Sequence, residues 1–551
     1  MLAIPLVLVV YTHLWNPIGF PTIHPDEGYY IGRSIHVSDG LGPKEDAARY
    51  DHPYFSWIFL GSIFSLISYP DTTDPTPGNV HSIEIVWLFP RVIMGILAVV
   101  DTFLIYKIAE WRYNRNVAFI AAILFAVTPL SWLFRRMYLD PVQLPFLLTA
   151  ILFALYSGLN ARQKSKLKEI KKVKSREENE EIKVRERERE SQGKDCNNDS
   201  DYKKASNQKN IILLLSSGIF LGLTIFTKIP AITLIPLVGF IVFTNNKKSF
   251  KALGIWIIPV ILIPLIWPLH AVLAGEFNQL LEGIDYQTSR TSKPLLDAVN
   301  DFYNKDPVLL ILGIAGFAYA AIAKKDFIFI IWVTPFLAFF FFLDYVSHFH
   351  MIPLIPAFCI GAAVLIQDLS DKLMHNKKLI RKILPFAIIS AIGIFGLVST
   401  TTLIAKARNS SDFDVLASVA QHLPDDAEIV RIASNSHGSE AENDDTKSSK
   451  NEHLTIIGTS KQFWIFQYVF DKLEYDYKSP NNMISKKTLE NVKDGSEKVL
   501  MIADENMRKI VSGEELPRTS KAEIKAERLS DLYNNSKTVA KVHKVEIRTN
   551  Y

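Results

Sequence analysis

Long runs of almost uninterrupted apolar residues dominate the first 400 positions and restrict the chain to very few architectures. They include Trp87 to Ile108, Val117 to Phe134, Ile211 to Phe226, Ala252 to Leu273, Phe327 to Leu343, Ile352 to Ile366 and Leu384 to Ile404. Each is apolar on all sides, and most are long enough for a bilayer core of about 30 Å. A soluble chain of 551 residues, 48% of them hydrophobic, has no use for so many. The mean hydropathy of +0.13 averages an apolar first part, a charged insertion and a polar C-terminal part. The expected fold is an all-α polytopic membrane bundle followed by a small α/β domain.

The charges orient it. Basic clusters separate the apolar runs: Lys107, Arg112 and Arg115; Lys247, Lys248 and Lys251; Lys324 and Lys325; and Lys372, Lys377, Lys378, Arg381 and Lys382. The positive-inside rule assigns them to the cytoplasmic face. Residues 161–209, with 16 Lys/Arg against 11 Asp/Glu, read as a solvated cytoplasmic insertion. The clusters share one face only if Tyr54 to Tyr69 does not cross, and either lies along the outer surface or re-enters. That gives eleven expected crossings, at about 1 to 18, 87 to 108, 117 to 134, 142 to 158, 211 to 227, 231 to 244, 252 to 272, 307 to 323, 327 to 343, 352 to 367 and 384 to 404. The apolar start, Met1 to Leu14, lacks a basic n-region and is expected to be a retained first helix.

On this topology residues 1–404 form the membrane domain and 405–551 an extracytoplasmic domain with strand-like runs at Glu428 to Ala433, Leu454 to Gly458, Lys498 to Ile502 and Val539 to Ile547. The two are expected to be separable near Ala405. The basic residues fall between apolar runs, as cytoplasmic loops require, so nucleic acid is not an expected partner. Cys196 and Cys359 are placed inside and within a helix, which excludes a disulfide framework.

Chemistry is concentrated on the expected outer face. The first outer loop, with nine Asp/Glu and three Lys/Arg in residues 19–86, opens with Ile23-His24-Pro25-Asp26-Glu27-Gly28-Tyr29-Tyr30. A second acid, Asp140, follows Arg135 and Arg136 at the start of the fourth span. Attack of a hydroxyl on a sugar C1 needs a carboxylate to take the proton, and a departing phosphate needs cations or hydrogen-bond donors. An Asp-Glu pair facing an Arg/Asp loop supplies both.

His-Pro-Asp-Glu-Gly-Tyr-Tyr after the first helix, Asp51-His52-Pro53, Arg135 to Asp140, and Thr227-Lys228 occur in the order found in the C superfamily of membrane glycosyltransferases. The chain resembles the branch of dolichyl-phosphate-mannose protein mannosyltransferases and aminoarabinose lipid A transferases. Gly283 to Arg290, Asp306-Pro307 and His348-Phe349-His350-Met351-Ile352-Pro353 are similar to archaeal-looking members. The resemblance covers roughly residues 1 to 405. It implies that Asp26 acts as base toward the acceptor, Glu27 orients acceptor or base, and Asp140 belongs to the same acidic site. It also implies that Arg135 approaches the lipid phosphate, with Arg136 competing for that role. The family's His-Pro-Pro is His52-Pro53-Tyr54 here with no lysine close behind, so the phosphate clamp falls to Lys228, Arg290 or Arg91. Such cations at helix ends also snorkel to the interface without any other task.

The implied reaction moves a sugar, a mannose-like hexose, with inversion from a polyprenyl or dolichyl phosphate to a protein or lipid hydroxyl at the outer face of the cell membrane. No cofactor is required. His348 and His350, with Gln287 and His52, are candidates for sugar, acceptor or phosphate contacts, and two histidines alone are weak grounds for a divalent cation. Asp101 is an expected mid-membrane carboxylate of unassigned role. The competing classes are a transporter or flippase for a lipid-linked glycan, which calls for more charges within the spans, and a non-catalytic membrane subunit.

Overall fold

The computed structural model describes residues 1–43, 50–158, 197–290, 294–343, 345–373 and 378–423, then 428–433, 453–458, 473–476, 486–493, 497–514 and 529–551 with isolated residues 465, 469, 495 and 527. Cys196 and most of the charged insertion lie outside the described residues.

The protein is an integral multi-pass membrane bundle with a small C-terminal sheet. Seven helices among the described residues are long and apolar enough to cross a bilayer: Val80–Arg112, Leu139–Ser157, Asn207–Thr227, Phe250–Leu273, Pro307–Lys324, His348–Lys372 and Ile383–Ile404. An eighth arises if Arg115–Val127 and Pro129–Arg135, bent by 71°, count as one. The other expected crossings correspond to shorter apolar helices, Ala3–Leu14, Ile229–Asn245 and Ile328–Leu343, so length alone supports seven or eight spans and not the expected eleven.

The chain starts with α1 (Ala3–Leu14), then α2 (Pro25–Ser38), α3 (Phe55–Leu66), α4 (Val80–Arg112), α5 (Arg115–Val127) and α6 (Leu139–Ser157). The helices α2 and α3 pack against each other as the layer of the first loop. At about 18 Å, α3 is too short to cross. It packs on α2 at Gly61, where a Cβ would lie 2.6 Å from the Ser34 carbonyl oxygen. Polar caps set the boundaries: Asn79 Oδ1 accepts from His81 N and Ser82 N at the start of α4, and Asn114 Oδ1 accepts from Asn116 N and Val117 N before α5. With 33 residues α4 is longer than a bilayer is thick, and its first turns rise into the first-loop layer.

Three apolar elements break at the same face of the bundle into 3-10 turns, Pro129–Arg135, Ile229–Leu234 and His348–Leu354. In the first two, proline within the opening residues removes an N–H that the preceding helix would have needed. The polar residues at these breaks, Arg135, Lys228 and His350 among them, are thereby gathered at one level.

One apolar core runs through the bundle. A second joins the first-loop layer to the helix Ser410–Gln421 and one face of the sheet, through residues such as Trp87, Phe413, Leu416, Leu500 and Ile547. The six strands are ordered β3-β1-β2-β4-β6-β5, with β1 Glu428–Ala433, β2 His453–Gly458, β3 Leu473–Asp476, β4 Glu497–Ala503, β5 Lys537–Val542 and β6 Val545–Thr549. Strands β3, β1, β2 and β4 are parallel, and the last two form an antiparallel hairpin. The expected single run Val539 to Ile547 is two strands, because His543 takes a left-handed conformation (φ 53°) and turns the chain.

The expected division at Ala405 cuts through packed structure. Beyond it, Arg408 N donates to Gly19 O at 2.8 Å, and Asn409 grips residues 18–23. If the first-loop layer and the basic clusters lie on opposite faces, a cysteine at Asp39 reacts with an impermeant maleimide on intact cells and one at Lys248 does not; the reverse pattern overturns the orientation.

Candidate active site

The site is assembled on the first turn of α2. His24 is its N-cap: Nδ1 accepts from Asp26 N at 3.3 Å, and Glu27 Oε1 accepts from His24 N at 2.9 Å, a reciprocal capping box. The box sends two adjacent carboxylates in different directions. Glu27 is fully buried and takes both arms of Arg91, from Nε at 3.0 Å and Nη2 at 2.9 Å. Asp26 keeps 39% of its side-chain surface exposed, with an oxygen 3.7 Å from His24 Nδ1.

Glu27 therefore has no surface to offer an acceptor, and its contacts are those of a fastener. Three arginines share that work along residues 15–23. Arg91 Nη1 donates to Pro17 O and Pro21 O (2.8 and 2.9 Å), Arg135 Nη2 to Trp15 O and Asn16 O (2.5 and 2.7 Å), and Arg136 to Thr22 O (2.7 and 3.1 Å). All three are buried. Arg135 and Arg91, both expected at the phosphate, bond loop carbonyls in this structure. Arg136 is likewise engaged, reaching Tyr138 Oη at 3.2 Å and lying over Trp132.

Asp26 is close enough to Tyr30, Tyr138, Asp140, Lys228 and Arg290 to act on the charge of each. Lys228 Nζ donates to Asp140 Oδ2 at 2.6 Å and lies over the Phe349 ring, and Gln143 Nε2 donates to Asp140 Oδ1 at 3.3 Å. Arg290 donates to Tyr286 Oη at 3.1 Å and stacks against Tyr345. The helix Phe277–Thr288 that leads to Arg290 carries half-buried Gln287. It meets the first loop at Gly283, where a Cβ would strike the Tyr50 backbone.

His52 closes the cluster. Burial, with Lys228, Arg33 and Arg290 nearby, outweighs the pull of Asp51 and lowers its pKa to about 4, so its ring is neutral at ordinary pH. Asp51 is held by Arg33 at 2.8 Å, and this cation with His52 outweighs the cost of burial and keeps its pKa below the usual range. His350 accepts from Ser347 N and stacks on Phe340, while His348 leans on Trp132 with its Nε2 enclosed and without a hydrogen-bond partner among the described residues. Among the described residues no three His, Cys, Asp or Glu side chains converge as a metal site would require. Asp101 is fully buried, with no hydrogen-bond partner for either oxygen among the described residues. Arg33, Tyr30, Tyr138, Tyr286 and Asn409 also stand at or against the site and are not among the residues expected there. For the tyrosines the available signal was their position beside charged candidates, and for Asn409 there was none.

The fold is that of known membrane glycosyltransferases. ArnT from Cupriavidus metallidurans, bound to undecaprenyl phosphate, aligns over 100% of this chain and 97% of its own, with a TM-score of 0.56 and 12% identity. The archaeal oligosaccharyltransferase AglB from Archaeoglobus fulgidus, in complex with an inhibitory peptide and a dolichol-phosphate, aligns over 93% of this chain and 70% of its own, at 0.51 and 12%. The resemblance read from the motifs thus holds at the level of fold. No protein-family model and no curated protein matches the chain.

Two outcomes follow from the charges. Glu27→Gln strands the Arg91 guanidinium in a buried site and is expected to cost about 3–5 kcal/mol, read as a large drop in the thermal unfolding midpoint in detergent; Asp26→Asn, at a half-exposed position, leaves the midpoint nearly unchanged. For His52, with a folded pKa of about 4 against an ordinary 6.5, the unfolded chain holds a proton that the folded chain refuses. Stability is therefore lost as pH falls through that window. His52→Asn removes this part of the slope, and melting curves between about pH 7 and pH 4 measure it.

Proposed function

We propose that the chain transfers one sugar from a polyprenyl-phosphate carrier to an acceptor hydroxyl at the expected outer face of the membrane. The observation that carries this reading is the gathering of a half-exposed carboxylate, Asp26, with the Lys228–Asp140 pair and Arg290 at one place. The acceptor oxygen attacks the anomeric carbon and its proton passes to the Asp26 carboxylate. The bond from that carbon to the phosphate oxygen breaks, and the phosphate leaves with the electron pair, its added charge met by Lys228 and Arg290. Attack from the side opposite the phosphate inverts the anomeric centre.

The lipid-borne donor explains why the site is built where broken helices reach the bilayer surface. The undecaprenyl phosphate in ArnT and the dolichol-phosphate in AglB support a donor of this class. A mannose-like hexose and a protein or lipid hydroxyl are the proposed donor sugar and acceptor, on the motifs shared with the protein mannosyltransferases and the lipid A transferases. No cofactor enters the proposed step.

Asp26→Asn keeps the shape and removes the basicity, so turnover falls by about a hundred- to ten-thousand-fold while donor binding persists. Lys228→Ala instead weakens donor binding, because a phosphate loses its cation. Both are read with labelled polyprenyl-phosphate-sugar, binding and transfer being measured separately on purified protein. Full transfer by Asp26→Asn would remove the base from this site.

A further inference from the structure

The segment that delivers Asp26 is held from outside the membrane helices as well as from within. Asn409 is fully buried at the start of the helix Ser410–Gln421. Its Nδ2 donates to Ile18 O at 2.5 Å and Pro21 O at 2.8 Å, and its Oδ1 accepts from Ile23 N at 3.2 Å. Every hydrogen-bonding arm of the side chain therefore lands on the backbone of residues 18–23. The next residue, His24, caps α2, and Asp26 stands in its first turn.

The other end of this connection is the C-terminal sheet. His543 Nε2 pairs with Asp414 Oδ2 at 2.6 Å, Tyr551 Oη donates to His422 O at 3.0 Å, and Phe413 and Leu416 share an apolar core with Ile547. An unbroken run of contacts thus leads from the β5–β6 hairpin through Ser410–Gln421 to the loop before the base. The arginines would hold that loop alone if burial were all it needed. Asn409 adds direction, since it matches two acceptors and one donor that a cation cannot match.

We propose that Asn409 is a positioning residue for Asp26, fixing where the base stands by clamping residues 18–23 and making that placement depend on the docked C-terminal part of the chain. The proposal rests on Asp26 being the base of the transfer described above. A displacement of about 1 Å at a reacting group costs roughly a hundredfold, so the loss should appear in turnover and not in donor binding, which Lys228 and Arg290 carry.

The test compares Asn409→Asp with Asn409→Ala in the full chain. Aspartate fills the same space and can still accept from Ile23 N, but it turns an oxygen toward the Ile18 and Pro21 carbonyls. Turnover should fall by about ten- to a hundredfold in both variants, with donor binding unchanged. A packing role would spare the aspartate variant. Spin labels at Asp39→Cys and Asp285→Cys, in a chain carrying Cys196→Ser and Cys359→Ala, report the placement of α2 without any assay of transfer. Their distance distribution should broaden in both Asn409 variants. Wild-type turnover together with an unbroadened distribution in Asn409→Asp overturns the proposal. If the wild-type chain transfers no sugar from any polyprenyl phosphate, the proposed function fails, and the labels alone then decide whether Asn409 places the loop.

Discussion

The buried pair between Arg91 and Glu27 is the interaction on which the rest of the site depends. Burying two charges is costly unless the geometry is close and the remaining donors and acceptors are satisfied. Both conditions hold here: the pair is bidentate, Glu27 also accepts from His24 N, and the third arm of Arg91 reaches Pro17 O and Pro21 O. Removing either partner strands the other, so the pair is permanent. Its consequence is geometric. With Glu27 pulled inward to α4, the neighbouring Asp26 is turned toward the cluster that includes Lys228 and Arg290.

The backbone of residues 15–23 poses a problem that the arginines solve. It links α1 to α2 without regular structure and runs through a buried layer, so its carbonyls need partners that neither helix supplies. Arg135, Arg91, Arg136 and Asn409 supply them one after another. A guanidinium suits this work because it donates in several directions and stays charged. Lys228 and the more exposed Arg290 are outside this arrangement, each restrained by an aromatic neighbour and, for Lys228, by Asp140.

Broken helices bring the two halves together. Lys228 stands at the head of one 3-10 turn, Arg135 at the end of another and His350 within a third. Proline opens the first two turns, Pro129 and Pro230, and the breaks gather polar residues that would be costly within an apolar span. The C-terminal sheet is joined to the same layer through Asn409 and the helix that follows it.

The sequence by itself determined the class of molecule and supplied the residues from which a site is proposed. Apolar runs too long for anything but a bilayer, basic clusters between them and the His24 to Tyr30 and Arg135 to Asp140 motifs are local facts of one dimension, and the fold agrees with them. It also placed β1, β2 and β4 within a residue or so, because each is a short β-branched run between polar stretches. Which charges meet one another is decided only by tertiary structure. Three arginines beside a carboxylate read identically whether they grip a phosphate or a loop, since the choice depends on carbonyls up to about 120 positions away. The pairing of Arg91 with Glu27, the Lys228–Asp140 contact and the reach of Asn409 back to Ile18 join residues separated by 64, 88 and 391 positions. No periodicity or spacing encodes such meetings, because they follow from how the helices pack.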